Sequence, residues 1–165
     1  IASMNRPSNI VDMESVFSPK KAESVSNITL IPPDQISFLW KKVREQLRPA
    51  VERSKGRWTL EHLMMVLVTG QQNLWIAWDE NNNSMGCVTT QVISYPNNKM
   101  LAFQFLGGEN FDLWYPNMLK TLESFAADSE CEGVEGTARF GFWKWLEKDG
   151  FDKSYAVYEK VFEDV

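Results

Sequence analysis

The last third of the chain carries the pattern that most restricts its fold. Residues 133–138 are rich in small and β-branched side chains and predict a short strand. Residues 139–151 follow as a short amphipathic helix that Gly150 closes. Residues 153–162 then form a strand-like segment with valine and aromatic side chains, which predicts a further strand. This succession of strand, short helix, "Gly-Phe" and strand is specific, and it indicates an α/β fold.

Length and composition describe one ordinary domain. A chain of 165 residues buries enough surface for a single core. Seven tryptophans and ten phenylalanines imply a well-filled core, a binding surface, or both. The net charge is −5, and acidic and basic residues are interspersed, which argues against a nucleic-acid partner. The basic residues between positions 41 and 57 are better explained as the solvated face of a helix.

The cysteines and the N-terminal residues indicate in which cellular compartment we expect the protein. Cys87 and Cys131 are far apart and form no CxxC pair, which excludes a zinc ribbon, and we expect no metal site. They form either one disulfide or two free buried thiols in a reducing cytosol, and we favour the thiols. No apolar run reaches the roughly 20 residues that cross a bilayer, and no signal peptide is visible. We therefore expect a cytoplasmic protein without membrane contact.

The chain divides into an arm and a domain. Residues 1–26 are polar and aperiodic, and they predict a flexible arm that is either disordered or docks on a partner. Residues 27–165 form the domain. Before the closing stretch, its patterns predict a strand, two helices, three strands in an antiparallel meander and a third helix; the strands are 27–31, 74–78, 85–95 and 100–106.

The complete order, β-αα-βββ-α-β-α-β, resembles the GNAT superfamily of acetyl-CoA-dependent N-acyltransferases over residues 27–162. The resemblance implies a central mixed, mostly antiparallel sheet with helices on both faces. The sheet is splayed between its fourth strand (100–106) and its fifth (134–138). In that family the pantetheine arm of the cofactor lies in the gap. The pyrophosphate sits on backbone N–H groups at the start of the next helix, here near Asp112.

The terminal motif of the family carries the closest match. It reads Asn-x-x-Ala-x-x-x-Tyr-x-x-x-Gly-Phe, and Gly150-Phe151 fits its end. Leu146 then falls at the tyrosine, and Arg139 falls at the asparagine. The tyrosine commonly serves as general acid to the departing thiolate, so that role is unfilled at Leu146.

The resemblance also implies which residues bind acetyl-CoA. Phe105, Leu106, Gly107 and Gly108 lie at the end of the fourth strand, and Arg139 could contact a phosphate or a carboxylate substrate. A tight strand exit explains a pair such as Gly107-Gly108 more often than phosphate binding does.

Two acidic residues weaken the pyrophosphate site that the resemblance implies. Glu109 and Asp112 place negative charge where the pyrophosphate would bind. No metal enters this chemistry.

Four further residues are candidates for chemistry or contact. Glu135, on the fifth strand, could accept the proton of the amine directly or through water. Its alternatives are an outward-facing residue or an ion pair with Arg139. Tyr115 and Tyr158 are candidate acids if they reach the gap, while Trp143 is either core or a contact surface.

Two functions therefore remain open. The first is an N-acyltransferase that moves an acetyl group from acetyl-CoA to an amine of a small molecule or a protein. The second is a GNAT-fold protein that has lost the cofactor and binds a protein partner. The Trp-rich second strand, the Gly-Gly exit and "Arg-x-Gly-Phe" look most like divergent GNAT-like proteins of tailed bacteriophages, some of which are virion-associated. That resemblance would place the protein in the host cytoplasm.

Overall fold

Five strands form one sheet in the order β1-β2-β3-β4-β5. The computed structural model describes residues 27–163, so the predicted arm lies outside the described residues. The elements are β1 (Asn27–Ile31), α1 (Ile36–Glu52), α2 (Leu60–Val68), β2 (Asn73–Trp78), β3 (Ser84–Ser94), β4 (Lys99–Gly108), α3 (Phe111–Asp128), β5 (Gly133–Gly136) and α4 (Trp143–Lys148). Neighbouring strands are antiparallel except β4 and β5, which are parallel. The predicted mixed, mostly antiparallel sheet is confirmed.

Helices cover both faces of this sheet. The apolar stripe of α1 buries Val43, Leu47 and Val51 against α2 and the first face, as its helical spacing predicts. The stripe of α3 buries Trp114, Met118 and Leu122 against the second face. The two clusters share no buried residue, so the sheet separates two cores, one on each side.

Both cysteines lie in the described part of the chain, and neither forms a disulfide. Cys87 is buried and Cys131 is half-buried, and both are free, so the disulfide is ruled out. Burial raises the pKa of the Cys87 thiol, which keeps it protonated and unreactive.

Within residues 27–163, no helix combines the length and the apolar character that a membrane span requires. The same residues contain no group of three side chains suited to a metal.

A β-bulge in β4 precedes the opening of the sheet. Phe103 pairs with Thr90 and Phe105 with Thr89, so Gln104 is an extra residue in β4. Bulges bend a strand and increase its twist. β5 pairs with β4 only along Met100–Phe103, which is where the bulge begins. The predicted splay between the fourth and fifth strands is confirmed, and the bend at Gln104 explains its position.

The predicted final strand at residues 153–162 is wrong. The segment has no regular secondary structure, and Tyr155 and Tyr158 are 83% and 92% exposed. Its β-branched and aromatic side chains favour a strand, but a strand also needs a neighbouring edge. β5 ends at Gly136 after four residues and offers only a short edge.

Gly107 is required by the packing of α1 against the sheet. A Cβ at Gly107 would lie 1.9 Å from the backbone oxygen of Gln46, in the middle of α1. The Gln46 side chain also donates to the Ser84 carbonyl oxygen at 3.1 Å, which fixes α1 over the start of β3. Gly108 has φ +129°, a conformation that side chains rarely adopt. The tight strand exit is thus a sufficient reason for both glycines.

We expect Gly107→Ala to lower the free energy of unfolding by at least about 2 kcal/mol, because the added methyl meets backbone that cannot rotate away. Gly141→Ala is the matched control, since nothing lies within 4 Å of a Cβ there; its effect should stay within about 0.5 kcal/mol. Urea unfolding measures both. Equal stability of the two variants would contradict the close approach of α1 to β4.

Candidate functional site

The candidate site is the gap that opens beside β4 beyond Phe103. From Gln104 to Gly108, no strand among the described residues pairs with the side of β4 that faced β5. An apolar cavity of about 30 Å³ lies next to this edge. Leu106 of β4, Tyr115 of α3 and Leu146 of α4 all line it. The cavity therefore brings together the sheet edge and the two helices that flank the gap.

The Gly-Phe motif closes the cavity from one side. Gly150 has φ +85° and reverses the chain after α4, so that the Phe151 N–H donates to the Leu146 carbonyl oxygen at 3.1 Å. The Phe151 ring then meets Phe103 edge-on at 6.2 Å. The predicted helix closed by Gly150 is confirmed, and its structural purpose is to return Phe151 to the core.

An aromatic cluster surrounds the start of α3. Phe111, the first residue of that helix, contacts four rings at 4.8–5.1 Å: Trp114, Tyr115, Phe142 and Trp145. The Trp114 indole also donates to the Glu109 carbonyl oxygen at 2.9 Å. These rings hold α4 against α3.

Two cationic side chains make cation–π contacts with rings of this aromatic cluster. The guanidinium carbon of Arg139 lies 5.1 Å from the centre of the Phe142 ring, and Lys144 Nζ lies 4.4 Å from that of Trp145. Each cation is therefore separated by one ring from Phe111 at the start of α3. First-turn N–H groups are unpaired and attract anions. The structure places Arg139 here and not in an ion pair with Glu135.

Glu135 does not line the cavity. It lies beside Ala102, in the part of β5 that is still paired with β4. Val134 packs into the α3-side core, and successive strand side chains point to opposite faces, so Glu135 faces away from that core. Its carboxylate accepts a hydrogen bond of 2.5 Å from the Tyr95 hydroxyl. This bond raises the pKa of Tyr95, as do partial burial and the negative charges nearby.

The four residues of β4 that we predicted to bind the cofactor make different contacts. The Phe105 N–H donates to the buried Thr89 hydroxyl at 3.1 Å, and the Phe105 ring packs on Trp58 at 5.7 Å, on the face opposite the cavity. Leu106 lines the cavity itself. Gly107 allows β4 to pack closely against α1, and Gly108 allows it to pack closely against β3. Thr89 is a contact that the sequence alone could not reveal, because the bulge creates it.

Tyr115 is the candidate acid that the structure brings to the cavity. It is 8% exposed, and its hydroxyl lies near the Asp149 carboxylate. Burial, and then the nearby Asp149 carboxylate, raise the pKa of the phenol. Tyr158, the other candidate, is exposed in the terminal segment and does not line the cavity. Trp143 is half-buried under Lys153, whose Nζ lies 4.8 Å from its ring.

The terminal segment crosses from the cavity wall to the connection between α1 and α2. It begins at Phe151, and Glu159 accepts bonds of 2.6 Å from both Lys55 and Arg57. The hydrogen bonds and charges of these two cations lower the pKa of Glu159 to about 2. One carboxylate thus ties an otherwise exposed segment to the opposite side of the domain.

We expect Glu159→Gln to free the terminal segment, so that trypsin cleaves it at Lys153 and Lys160 several-fold faster. A folded pKa below the ordinary 4.5 means that the tie is complete above that pH and is lost as the pH falls toward about 2. High salt should weaken it as well. Glu163→Gln is the matched control; if both variants are cleaved at the wild-type rate, the tie does not hold the segment.

We expect Glu135→Gln to lower the pKa of Tyr95, because the neutral amide no longer repels the phenolate. Because the pKa of Tyr95 is raised in the folded protein, its hydrogen bond contributes stability below about pH 10, and that contribution is lost as the pH rises. Ultraviolet titration of the tyrosines measures the shift, and Tyr95→Phe identifies which phenol moved. An unchanged titration in Glu135→Gln would refute the contact.

Comparison with known proteins supports the fold. No family model matches the sequence, and neither does any curated protein. Solved structures do match. The chain is similar to a probable acetyltransferase with a TM-score of 0.63 and 12% identity, over 84% of this chain and 99% of that one. It is also similar to a GCN5-related N-acetyltransferase from Ralstonia eutropha, with a TM-score of 0.60 and 13% identity over 82% and 97% of the two chains.

A third similar structure is a predicted acetyltransferase with acetyl-CoA from Clostridium acetobutylicum. Its TM-score is 0.59 at 16% identity, over 82% of this chain and 95% of that one. The chain has the GNAT fold. These three neighbours are matched over nearly their full length.

Proposed function

We propose that the protein is an acyl-CoA-dependent N-acyltransferase whose site is the gap between β4 and β5. One observation carries the proposal: the bulge at Gln104 frees the edge of β4 directly beside an apolar cavity. A free edge binds an extended amide-containing chain as an added strand would. The apolar wall excludes water from a reactive thioester. The fold shared with acetyltransferases supports this function.

The residues of the gap fit an acyl-CoA in two respects. The edge from Gln104 to Gly108 offers backbone groups to the amides of a pantetheine arm. Arg139 and Lys144, together with the start of α3, offer positive charge to phosphates. Glu109 and Asp112 oppose that charge, so we expect modest affinity. When bound, the acyl-CoA supplies an activated acyl group.

The chain's own contribution is orientation and electrostatic stabilisation. The β4 edge holds the thioester carbonyl beside backbone N–H groups that stabilise negative charge on its oxygen. The fixed edge and the two flanking helices bring the carbonyl and the amine together, which removes much of the entropic barrier. Glu135 is our candidate for receiving the amine proton through water, from the face opposite the cavity. The acceptor is an amine of a small molecule or a protein.

Calorimetry with acetyl-CoA and CoA tests binding, and release of free thiol in the presence of a panel of amines tests transfer. We expect saturable binding of both ligands and amine-dependent thiol release. Absence of heat at millimolar ligand, with the protein folded, would overturn the proposal. That result would favour the second reading, a GNAT-fold protein that acts through its surface.

Arg139→Gln and Lys144→Gln should each weaken CoA binding roughly fivefold, which corresponds to about 1 kcal/mol for an exposed cation near a phosphate. Lys148→Gln, at the last turn of α4, is the matched control for net charge. If the three variants lose affinity equally, the cations act only through overall charge and do not mark the phosphate position.

A further inference from the structure

Lys55 and Arg57, on the connection between α1 and α2, hold one carboxylate between them. Lys55 Nζ lies 2.6 Å from Oε1 of Glu159, and Arg57 Nη2 lies 2.6 Å from Oε2 of the same group. Each oxygen therefore has its own cation, and two charge-assisted hydrogen bonds of this kind recognise the shape of a carboxylate as well as its charge. We refer to Lys55 and Arg57 as the carboxylate clamp.

The loop that carries the clamp orients Arg57 without help from Glu159. Arg57 Nη1 and the Arg57 backbone N–H both donate to the Ser54 carbonyl oxygen at 3.2 Å. Trp58 anchors the same loop, because its N–H donates to Ser54 Oγ at 3.1 Å and its ring meets Phe105 edge-on at 5.7 Å. The guanidinium is thus placed in advance for a carboxylate, whichever molecule supplies it.

Glu159 is an internal occupant of the clamp that a free carboxylate can replace. Its segment, residues 152–162, has no regular secondary structure. Lys55 and Arg57 are 69% and 55% exposed, and ion pairs with such exposure contribute little to stability. A group on a short flexible tether competes with free ligands at an effective concentration in the millimolar range. A carboxylate compound at a similar concentration therefore competes with Glu159 for the clamp.

The clamp lies on the acceptor side of the proposed gap. Trp58, the next residue of its loop, contacts Phe105, which belongs to the part of β4 that has lost its partner strand. Phe105 packs into the core of α1 and α2, and Glu135, the candidate base, also faces away from the α3 side. The terminal segment passes near this base, because the bond to Glu135, burial and then the charge of Tyr155 raise the pKa of Tyr95. Clamp and base therefore border the same face of the gap.

We propose that the clamp binds the carboxylate of the acceptor, and that the acceptor is a small amino acid, an amine that also carries a carboxylate. The inference rests on the proposed function and names its acceptor class. The carboxylate of the acceptor displaces Glu159 from Lys55 and Arg57. Its amine then extends toward Glu135 and the thioester at the free edge of β4. Glu159 is an internal competitor that occupies the clamp until an acceptor arrives.

Acyl transfer to matched acids and amides tests the acceptor class. The probes are glycine, β-alanine, 4-aminobutyrate and 6-aminohexanoate, each compared with its primary amide at equal concentrations of unprotonated amine. The amide keeps the size of the acceptor and removes its negative charge. We expect kcat/KM to be about tenfold higher for the best acid than for its amide, mainly through KM, as a charged hydrogen-bonded contact implies. Equal values within every pair would overturn the inference.

Variants of the clamp show whether it is the source of that preference. Lys55→Gln combined with Arg57→Gln should make acid and amide react alike. Lys41→Gln combined with Lys42→Gln is the matched control, since it removes the same charge from exposed positions of α1 and should keep the preference. Glu159→Gln should raise kcat/KM for the acid more than for the amide, because it removes the competitor. A preference that survives loss of the clamp would overturn the assignment.

Cleavage of the terminal segment reports on the clamp without turnover. Chymotrypsin cuts after aromatic residues, and Tyr155 and Tyr158 are exposed. We expect at least one of the acids, at millimolar concentration, to speed cleavage of the wild type there by at least about twofold, as half-occupancy of the clamp implies, while its amide does not. In Glu159→Gln the acid should add nothing. Unchanged cleavage of the wild type with every acid would refute the displacement of Glu159.

The two readouts separate this inference from the proposed function. Equal transfer to acids and amides leaves the acyltransferase intact and overturns the acceptor class. Release of the segment by acids, in a protein that binds no CoA, overturns the proposed function and with it the acceptor role, while the clamp stands as a carboxylate site. The substituted side chains lie at the surface, so the variants should fold as wild type does, and circular dichroism checks this before each assay.

Discussion

The β-bulge at Gln104 is the constraint on which the rest of the structure depends. It shifts the alternation of β4 by one residue, so that Phe103 faces the α3-side core while Phe105 faces the core of α1 and α2. A regular strand would place both rings on one face. The extra residue thus supplies an aromatic anchor to each core. A bulge also bends its strand, and β4 loses its pairing with β5 from Gln104 onward, where the gap begins.

The same strand explains why the two glycines carry little information about a ligand. Gly107 lets the backbone of α1 approach β4, and Gly108 lets β4 turn beside β3. Both needs exist whether or not a phosphate binds. Under the proposed function, the chemistry of the gap therefore depends on backbone groups of the free edge and on side chains of α3 and α4. Such a site tolerates changes in motif residues, provided that the edge and the cavity persist.

The sequence predicted the elements well where local pattern determines them. The stripe containing Val43 and Leu47 follows from helical spacing, and the reversal at Gly150 follows from capping preferences. The bulge left no such signal, because the run from Met100 to Leu106 is compatible with a regular strand. The final strand was wrong for a related reason: β-propensity at residues 153–162 is local, but a strand forms only where an edge is available.

The candidate site shows where sequence reasoning must stop. Glu109 and Asp112 are near the helix start in sequence, so their opposing charge could be counted. Arg139 and Lys144 reach the same helix through the Phe142 and Trp145 rings, and only the packing of α4 on α3 reveals that. Tyr115 could be named as a candidate, but only the packing of α4 on α3 reveals that its ring lines the cavity. The features that form the cavity are thus tertiary, and they come from the closing stretch of the domain: Gly150 turns the chain, Phe151 packs against Phe103, and α4 completes the cavity wall with Leu146.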